Sequence, residues 1–340
     1  MSARSSNTAL QAITRDLNRS TLPKLPPAVG FDGDIEYAEQ VQFWRQWAAW
    51  EKEDPLVLKD EDEAAYKARV VYVYKQAVMS LRFWPEMWCE AADYCFSVGM
   101  ETEGTDFLNN GALANPESCL LAFKRADRIE TSAMTEEGDD VVVRRGKAVR
   151  EPYDNVLDAL YDLCTKIKER EERMIERIKE SVLLETPKPV LAEEDNDRDD
   201  AEADIVDPQA MVQAQIDALQ NGNAAQIKML SRTISFVWIA LMRAMRRVQG
   251  KGGPNEPVGG SRQIFFDARS RGRLTSDVYV ASALIEHHSY KDPAATRIFE
   301  RGMKLFKEDE QFALEYLKHL IAINDTTSML LIIRDTMRVC

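Results

Sequence analysis

The feature that most constrains this chain is a five-residue pattern that recurs at a fixed distance. The pattern is one large apolar residue, a second large residue, two mostly polar residues and then a small residue. It occurs at residues 73–77, 107–111, 264–268 and 298–302, so the first two copies and the last two copies each lie 34 residues apart. That period is the length of one helix–turn–helix unit in a repeat protein, whose units bury their apolar faces only by stacking.

The pattern also predicts how the helices meet. We expect the two helices of one unit to approach closely at the small residue, because a bulky group there would hold them apart. The four small residues are Ala77, Gly111, Ala268 and Gly302. The large side chains of the pattern that we expect in the core are Tyr74, Phe107, Phe265 and Phe299.

A second pattern places a ring or large apolar residue first, another apolar residue three positions on, and often an acid seven positions on. Its first copy is Trp44, Trp47 and Trp50, followed by Glu51. These spacings put the side chains on or near one helix face. Core packing is favoured there over a peptide-binding groove. The later copies are Trp88 with Tyr94, Leu120 with Phe123 and Asp127, Trp238, and Tyr279 with Glu286.

Apolar residues recur at the helical period through most of the chain, and strand-like alternation is largely absent. The predicted fold class is therefore all-α, a solenoid of helix–turn–helix repeats. The expected divisions are a polar tail at 1–35, repeats at 36–185, an acidic disordered loop at 186–210, and further repeats at 211–340 that are truncated at the last residue. Within the first array, residues 131–150 are interpreted as a polar insert and residues 161–184 as one long charged helix.

The formal net charge of −13 does not suit a protein that binds nucleic acid mainly through a basic surface. A local basic cluster nevertheless surrounds the glycine-rich loop at 250–260. Its members are Arg243, Arg246, Arg247, Lys251, Arg262, Arg269, Arg271 and Arg273. Contact with RNA or with an acidic partner is one interpretation, and solvated helix ends are the other.

The sequence indicates no catalytic, cofactor or metal site. None of the five cysteines forms a CxxC pair, and the adjacent His287 and His288 point about 100° apart on a helix. No nucleotide motif or catalytic triad is present, although a site assembled in space keeps an enzyme with a helical fold as an alternative. The N-terminal residues lack the apolar core of a secretion signal, and no apolar run is long enough to span a membrane.

Longer stretches of the chain resemble a known family. The Trp-x-x-Trp-x-x-Trp-Glu start resembles the half-a-TPR (HAT) repeat of RNA-processing assemblies. Residues 69–94, 261–306 and 315–330 resemble the suppressor-of-forked family, which contains the large subunit of cleavage stimulation factor and its fungal counterpart in cleavage factor IA. The resemblance implies a non-catalytic scaffold for cleavage and polyadenylation of mRNA 3′ ends.

The resemblance also implies partners. They are an RNA-recognition-motif subunit, scaffold and polymerase-associated subunits, pre-mRNA contacted indirectly, and a second copy in the full-length protein. The implied location is the nucleus, with the cytoplasm left open. The alternative is a HAT-repeat scaffold of a spliceosomal or ribosome-biogenesis complex. Proteins of those complexes carry the same repeat without the sequences seen at residues 69–94 and 261–306.

Overall fold

The computed structural model describes residues 3–19, 23–132, 138–185 and 208–330, which form α-helices and no strand. The helices are α1 (Ala3–Thr14), α2 (Asp34–Lys52), α3 (Glu63–Ser80), α4 (Pro85–Ser97), α5 (Glu101–Ala114), α6 (Cys119–Thr131), α7 (Asp139–Glu185), α8 (Pro208–Val248), α9 (Gly260–Arg271), α10 (Ser276–Tyr290), α11 (Ala294–Leu305) and α12 (Glu310–Ala322). Neighbouring helices pack as pairs, most extensively α4 with α5, α10 with α11, and α8 with α9. The all-α prediction is confirmed.

The chain divides into two compact units, Met1–Val156 and Leu157–Cys340. The boundary lies inside α7, whereas the sequence placed the division at the acidic segment 186–210. That segment lies outside the described residues up to 207, and residues 208–210 already belong to α8.

The core of the first unit forms where α2, α3, α4 and α5 meet. Trp44, Tyr74 and Met87 are among its largest fully buried side chains. Burying a large apolar side chain stabilises the folded state by about 1.5–3 kcal/mol relative to leaving it in water. Trp44 and Tyr74 of the two repeated patterns therefore help to hold these helices together, with Met87 and other buried residues outside the patterns.

The helices begin at residues that suit a helix start. Asp62 precedes α3 and accepts a hydrogen bond from the backbone N–H of Ala65 at 2.9 Å. Pro85 is the first residue of α4, where its missing N–H has no partner to lose. Asp309 caps α12 by accepting from the N–H of Phe312 at 3.0 Å.

Aromatic contacts connect the helices of the second unit. Phe265 of α9 meets Tyr279 of α10 edge-on, with ring centroids 5.2 Å apart, and Tyr279 meets Phe306 at the end of α11 at 5.5 Å. Trp238 of α8 is fully buried and donates a hydrogen bond from Nε1 to the hydroxyl of Tyr161 in α7, at 3.3 Å. Edge-to-face rings of this kind stabilise beyond the area they bury.

The expectation of a polar tail at 1–35 is wrong for residues 3–14, which form α1. Leu10, Ile13 and Leu17 follow the helical spacing, and all three are buried or half-buried against the core of the first unit. The segment is polar on average because polar residues separate these three, so its composition does not reveal the apolar helix face. Ser6, also buried, donates its hydroxyl to the carbonyl of Pro55 at 3.3 Å.

The separate insert at 131–150 and charged helix at 161–184 are also wrong as distinct elements. Residues 139–185 form the single helix α7, which contains Pro152. Val149, Tyr153 and Val156 are buried on one of its faces. This burial offsets the backbone hydrogen bond that an internal proline removes. Residues 133–137 of the expected insert lie outside the described residues.

Candidate functional site

The aromatic residues of the repeats lie between helices in the first unit. Trp44 stacks on Trp47 with ring centroids 5.6 Å apart, and both are buried. Tyr74 and Tyr94, from α3 and α4, are buried with centroids 6.0 Å apart. Trp50 is only half-buried. The four buried rings therefore lie in a packed interior, although Trp47 also lines an open cavity together with Leu10 and Tyr72.

The copy in α6 does not bury the residues that the pattern selects. Leu120 is 40% exposed and Phe123 is half-buried, whereas Leu121, Ala122 and Ala126 face the interior. Leu120, Leu121 and Phe123 fall within four positions, so their spacing alone does not show which face of α6 is buried. Phe123 still contacts Tyr153 of α7, with ring centroids 5.3 Å apart.

The small residues lie where a larger one would collide. A Cβ added at Gly111 of α5 would lie 2.9 Å from Cβ of Trp88 in α4, the other helix of that pair, and Trp88 also meets Phe107 edge-on. At Gly302 of α11 the added atom would lie 2.2 Å from Cζ of Phe312. Phe312 belongs to the following helix α12, so this close approach joins successive units. Ala77 and Ala268 are fully buried at the corresponding positions.

The large residues of the second unit are also buried. Trp238, Phe265, Tyr279 and Phe299 all face its interior. The Phe299 ring is parallel to that of Tyr316 in α12, with centroids 5.1 Å apart. The same side chains that define the repeats therefore join α11 to α12.

The acid of the second pattern has a structural role that the sequence did not reveal. Glu51 is 5% exposed and takes two hydrogen bonds from the guanidinium of Arg69 in α3, at 2.8 and 3.0 Å. Its carboxylate also accepts from Nε1 of Trp47 at 3.3 Å. A buried carboxylate needs such partners, because an unpaired charge in the interior is costly. The ion pair of Glu51 with Arg69 thus joins α2 to α3.

Glu286 in α10 repeats this arrangement. It is 3% exposed and receives two hydrogen bonds from Arg262 of α9, at 2.7 and 2.8 Å. Arg262 also bonds Asp292 at 2.8 Å, and Lys251 donates to the same carboxylate at 2.7 Å. The hydrogen bond from Lys251 and that from the backbone of Ala294 are the first causes that hold the pKa of Asp292 far below its usual range.

The predicted basic cluster is therefore divided by the fold. Lys251 and Arg262 both form ion pairs with Asp292. Arg271 pairs with Asp158 at 2.8 Å, and its guanidinium lies over the ring of Tyr161. Arg246 donates to the hydroxyl of Ser289 at 3.0 Å. The structure thus gives these four residues partners within the chain. The other four members are the exposed Arg243 and Arg247 and the half-buried Arg269 and Arg273.

The thiols that the structure describes are poor nucleophiles. Cys89, Cys95 and Cys164 are buried, and Cys119 is half-buried. Burial raises the pKa of Cys89 to about 12 and that of Cys95 to about 11, so both stay protonated near neutral pH. Cys340 lies outside the described residues.

The three histidines lie together in the second unit. The ring of His287 is 4.8 Å from that of His288 and 4.9 Å from that of His319, measured between centroids. His319 is buried, and its Nε2 lies 3.0 Å from the hydroxyl of Thr296. Burial, followed by the charges of the other two histidines, lowers the pKa of His319. Among the described residues, the search for histidine, cysteine and carboxylate groups that could hold a metal found none.

Comparison with known proteins identifies the family. A family model described as suppressor of forked protein matches residues 1–336. The chain belongs to the suppressor of forked family. The resemblance seen in residues 69–94 and 261–306 is confirmed, and the match extends over the first helix and the long α7 as well.

Several fungal proteins are similar to this chain. An Aspergillus oryzae protein named mRNA 3'-end-processing protein rna14 is 60% identical over 338 residues, which is 99% of this chain and 31% of the relative. Proteins named for mRNA 3'-end processing from Neurospora crassa and Yarrowia lipolytica are 52% and 32% identical, each over 96% of this chain and 28% and 32% of their own lengths. The chain spans about a third of the length of the relatives it matches. No described helix is long and apolar enough to cross a membrane.

Proposed function

We propose that this chain is part of a non-catalytic scaffold subunit of the machinery that cleaves and polyadenylates mRNA 3′ ends. The observation that carries the proposal is 60% and 52% identity, over nearly the whole chain, to relatives named mRNA 3'-end-processing proteins. Paired helices with buried signature residues suit this role, because a stacked array offers a long surface of fixed geometry.

The chemistry of the described side chains supports a non-catalytic role. The two most deeply placed carboxylates, Glu51 and Glu286, are each held by an arginine in a two-bond ion pair. The buried thiols stay protonated near neutral pH. These groups are engaged in holding helices together, and the relatives' names state no enzymatic activity.

The proposed partners are other cleavage and polyadenylation factors. They comprise an RNA-recognition-motif subunit and scaffold and polymerase-associated subunits, with pre-mRNA reached through them and a second copy in the longer protein. The proposed place of action is the nucleus, since mRNA 3′-end processing acts on nascent transcripts. The resemblance of residues 69–94 and 261–306 supports this set over that of a spliceosomal or ribosome-biogenesis scaffold.

Recovery of partners from fungal nuclear extract tests the proposal. The tagged chain should recover cleavage and polyadenylation factors, including an RNA-recognition-motif subunit, and crosslinking mass spectrometry should place their contacts on described helices. A double variant, Trp44→Ala with Trp238→Ala, removes one core ring from each unit while leaving the surface sequence intact. If partner binding requires the folded helices, this destabilised variant should recover none of the partners. Recovery of splicing or ribosome-biogenesis factors without cleavage factors would contradict the proposal.

A further inference from the structure

Arg269 in α9 holds a positive charge that no described carboxylate neutralises. Its guanidinium carbon lies 4.8 Å from the ring centroid of Phe265 and 6.0 Å from that of Phe266. Its Nε is buried without a hydrogen-bond partner, and the part of the chain that the structure describes supplies it no ion pair. Arg262, on the same helix, is by contrast fully paired with Glu286 and Asp292. Stacking on rings orients a guanidinium and leaves its charge available.

A second arginine without a described ion pair, Arg301, lies in α11, and both α9 and α11 pack against α10. The positive charge of Arg301 adds to burial, the larger cause, in lowering the pKa of Arg269. Arg301 is exposed, and no described carboxylate forms an ion pair with it. Arg297 and Lys304, four residues before and three residues after it on α11, extend this positive row, with Glu300 as the acid of the same helix. Neighbouring like charges are unfavourable in the free protein and become favourable once an anion lies between them.

An exposed ring adjoins the guanidinium of Arg269. Phe266 is 39% exposed, although its neighbours Phe265 and Ala268 are buried. The nearest acid on its helix, Asp267, accepts a hydrogen bond from Gln263 at 2.7 Å. A cationic surface with an exposed ring favours single-stranded nucleic acid over an acidic peptide, because bases stack on rings and carboxylates do not.

We propose that Phe266, Arg269 and Arg301 form a contact surface for single-stranded RNA, with the guanidinium groups on phosphates and the ring under a base. The geometry selects a single-stranded nucleic acid, and the choice of RNA over DNA rests on the proposed function. The scaffold role itself does not require this contact, because there pre-mRNA is reached through partner subunits; this surface adds a direct contact between the chain and RNA. The negative net charge of the chain confines such binding to a local patch.

Fluorescence anisotropy with a labelled oligouridine tests this surface on the whole 340-residue chain. Arg301→Glu should weaken binding about tenfold and reduce the slope of log affinity against log salt by about 0.7 for each phosphate that the variant no longer neutralises. Phe266→Ala should weaken binding about fivefold or more, because a base can no longer stack on the ring. Matched controls are Arg243→Glu, an exposed arginine of the same unit, and Phe31→Ala, an exposed ring of the other unit. Both should bind like the unaltered chain.

Three results would overturn the proposal: no binding of oligouridine by the unaltered chain, equal reductions in affinity for Arg243→Glu and Arg301→Glu, or no effect of Phe266→Ala. A synthetic peptide of the acidic residues 193–207 probes the other occupant. Tighter binding of that peptide than of oligouridine, abolished by Arg301→Glu, would assign the surface to an acidic protein. Circular dichroism checks folding, and Arg301→Gln repeats the test if the glutamate variant does not fold. Partner recovery from extract does not depend on these variants, so each proposal fails separately.

Discussion

Replacing Gly302 by alanine is the perturbation for which the structure makes the sharpest prediction. In an open helix, alanine in place of glycine stabilises by about 1 kcal/mol. At Gly302 the new Cβ would lie 2.2 Å from Cζ of Phe312, so the ring must retreat by about 1.2 Å to reach an ordinary contact of 3.4 Å. Phe312 is fully buried between Phe299 and Phe306, with centroids 5.8 and 5.9 Å away, and has little room to move.

Overpacking of this kind costs about 1–3 kcal/mol, and the rigid surroundings of Phe312 place the cost near the upper end. Subtracting the gain in helix propensity leaves a net destabilisation of about 2 kcal/mol. Gly222→Ala is the matched control, because Gly222 lies in α8 of the same unit and has nothing within 4 Å of its added Cβ. That variant should be more stable than the unaltered chain by about 1 kcal/mol.

Urea denaturation followed by circular dichroism measures both effects. The midpoint should fall for Gly302→Ala and rise for Gly222→Ala, with unchanged denaturant slopes. If the two variants shift the midpoint in the same direction, the close approach of α11 to α12 is refuted.

Three further predictions test other parts of the structure. Trp88→Ala should lower the free energy of unfolding in urea by about 3–5 kcal/mol, and a decrease below about 1 kcal/mol would contradict its burial. Because burial lowers the pKa of His319, the unfolded state binds its proton first, so stability should hold above about pH 6.5 and decline below it. Urea titrations across pH should show a flatter profile for His319→Gln. Cys89 and Cys95 should resist a thiol reagent until urea is added, and rapid reaction of both in the native chain would contradict their raised pKa values.

The pairing of helices could be predicted from the sequence because it depends on local spacing. Trp44 and Trp47 of α2 lie three positions apart, as do Phe265 and Ala268 of α9, and side chains so spaced lie on or near one helix face. The small size of Gly111 and Gly302 likewise predicted a close approach of two helices. The predicted partner is right for Gly111, which meets Trp88 in the helix of its own pair, and wrong for Gly302, which meets Phe312 in the following helix α12. The register of α6 could not be predicted, since Leu120 and Leu121 are adjacent apolar residues and only packing against neighbouring helices decides which one is buried.

The partners of the charged side chains could not be predicted, because they join residues far apart in sequence. Arg69 meets Glu51 and Arg262 meets Glu286 only after two helices have packed at a particular angle. The sequence counted Arg262 in a basic cluster, whereas the fold neutralises it. The continuity of α7 through Pro152 has the same origin, since burial of that helix face compensates for what proline removes.

The central claim is that the repeated large side chains lie between paired helices and leave other faces free for partners. Hydroxyl-radical footprinting with mass spectrometry tests it most directly, by measuring the oxidation rate of each ring in the native chain. The structure predicts slow oxidation of Trp44, Trp238 and Phe299, and fast oxidation of the exposed Phe31 and Tyr72. Equal rates in the two groups would contradict the account.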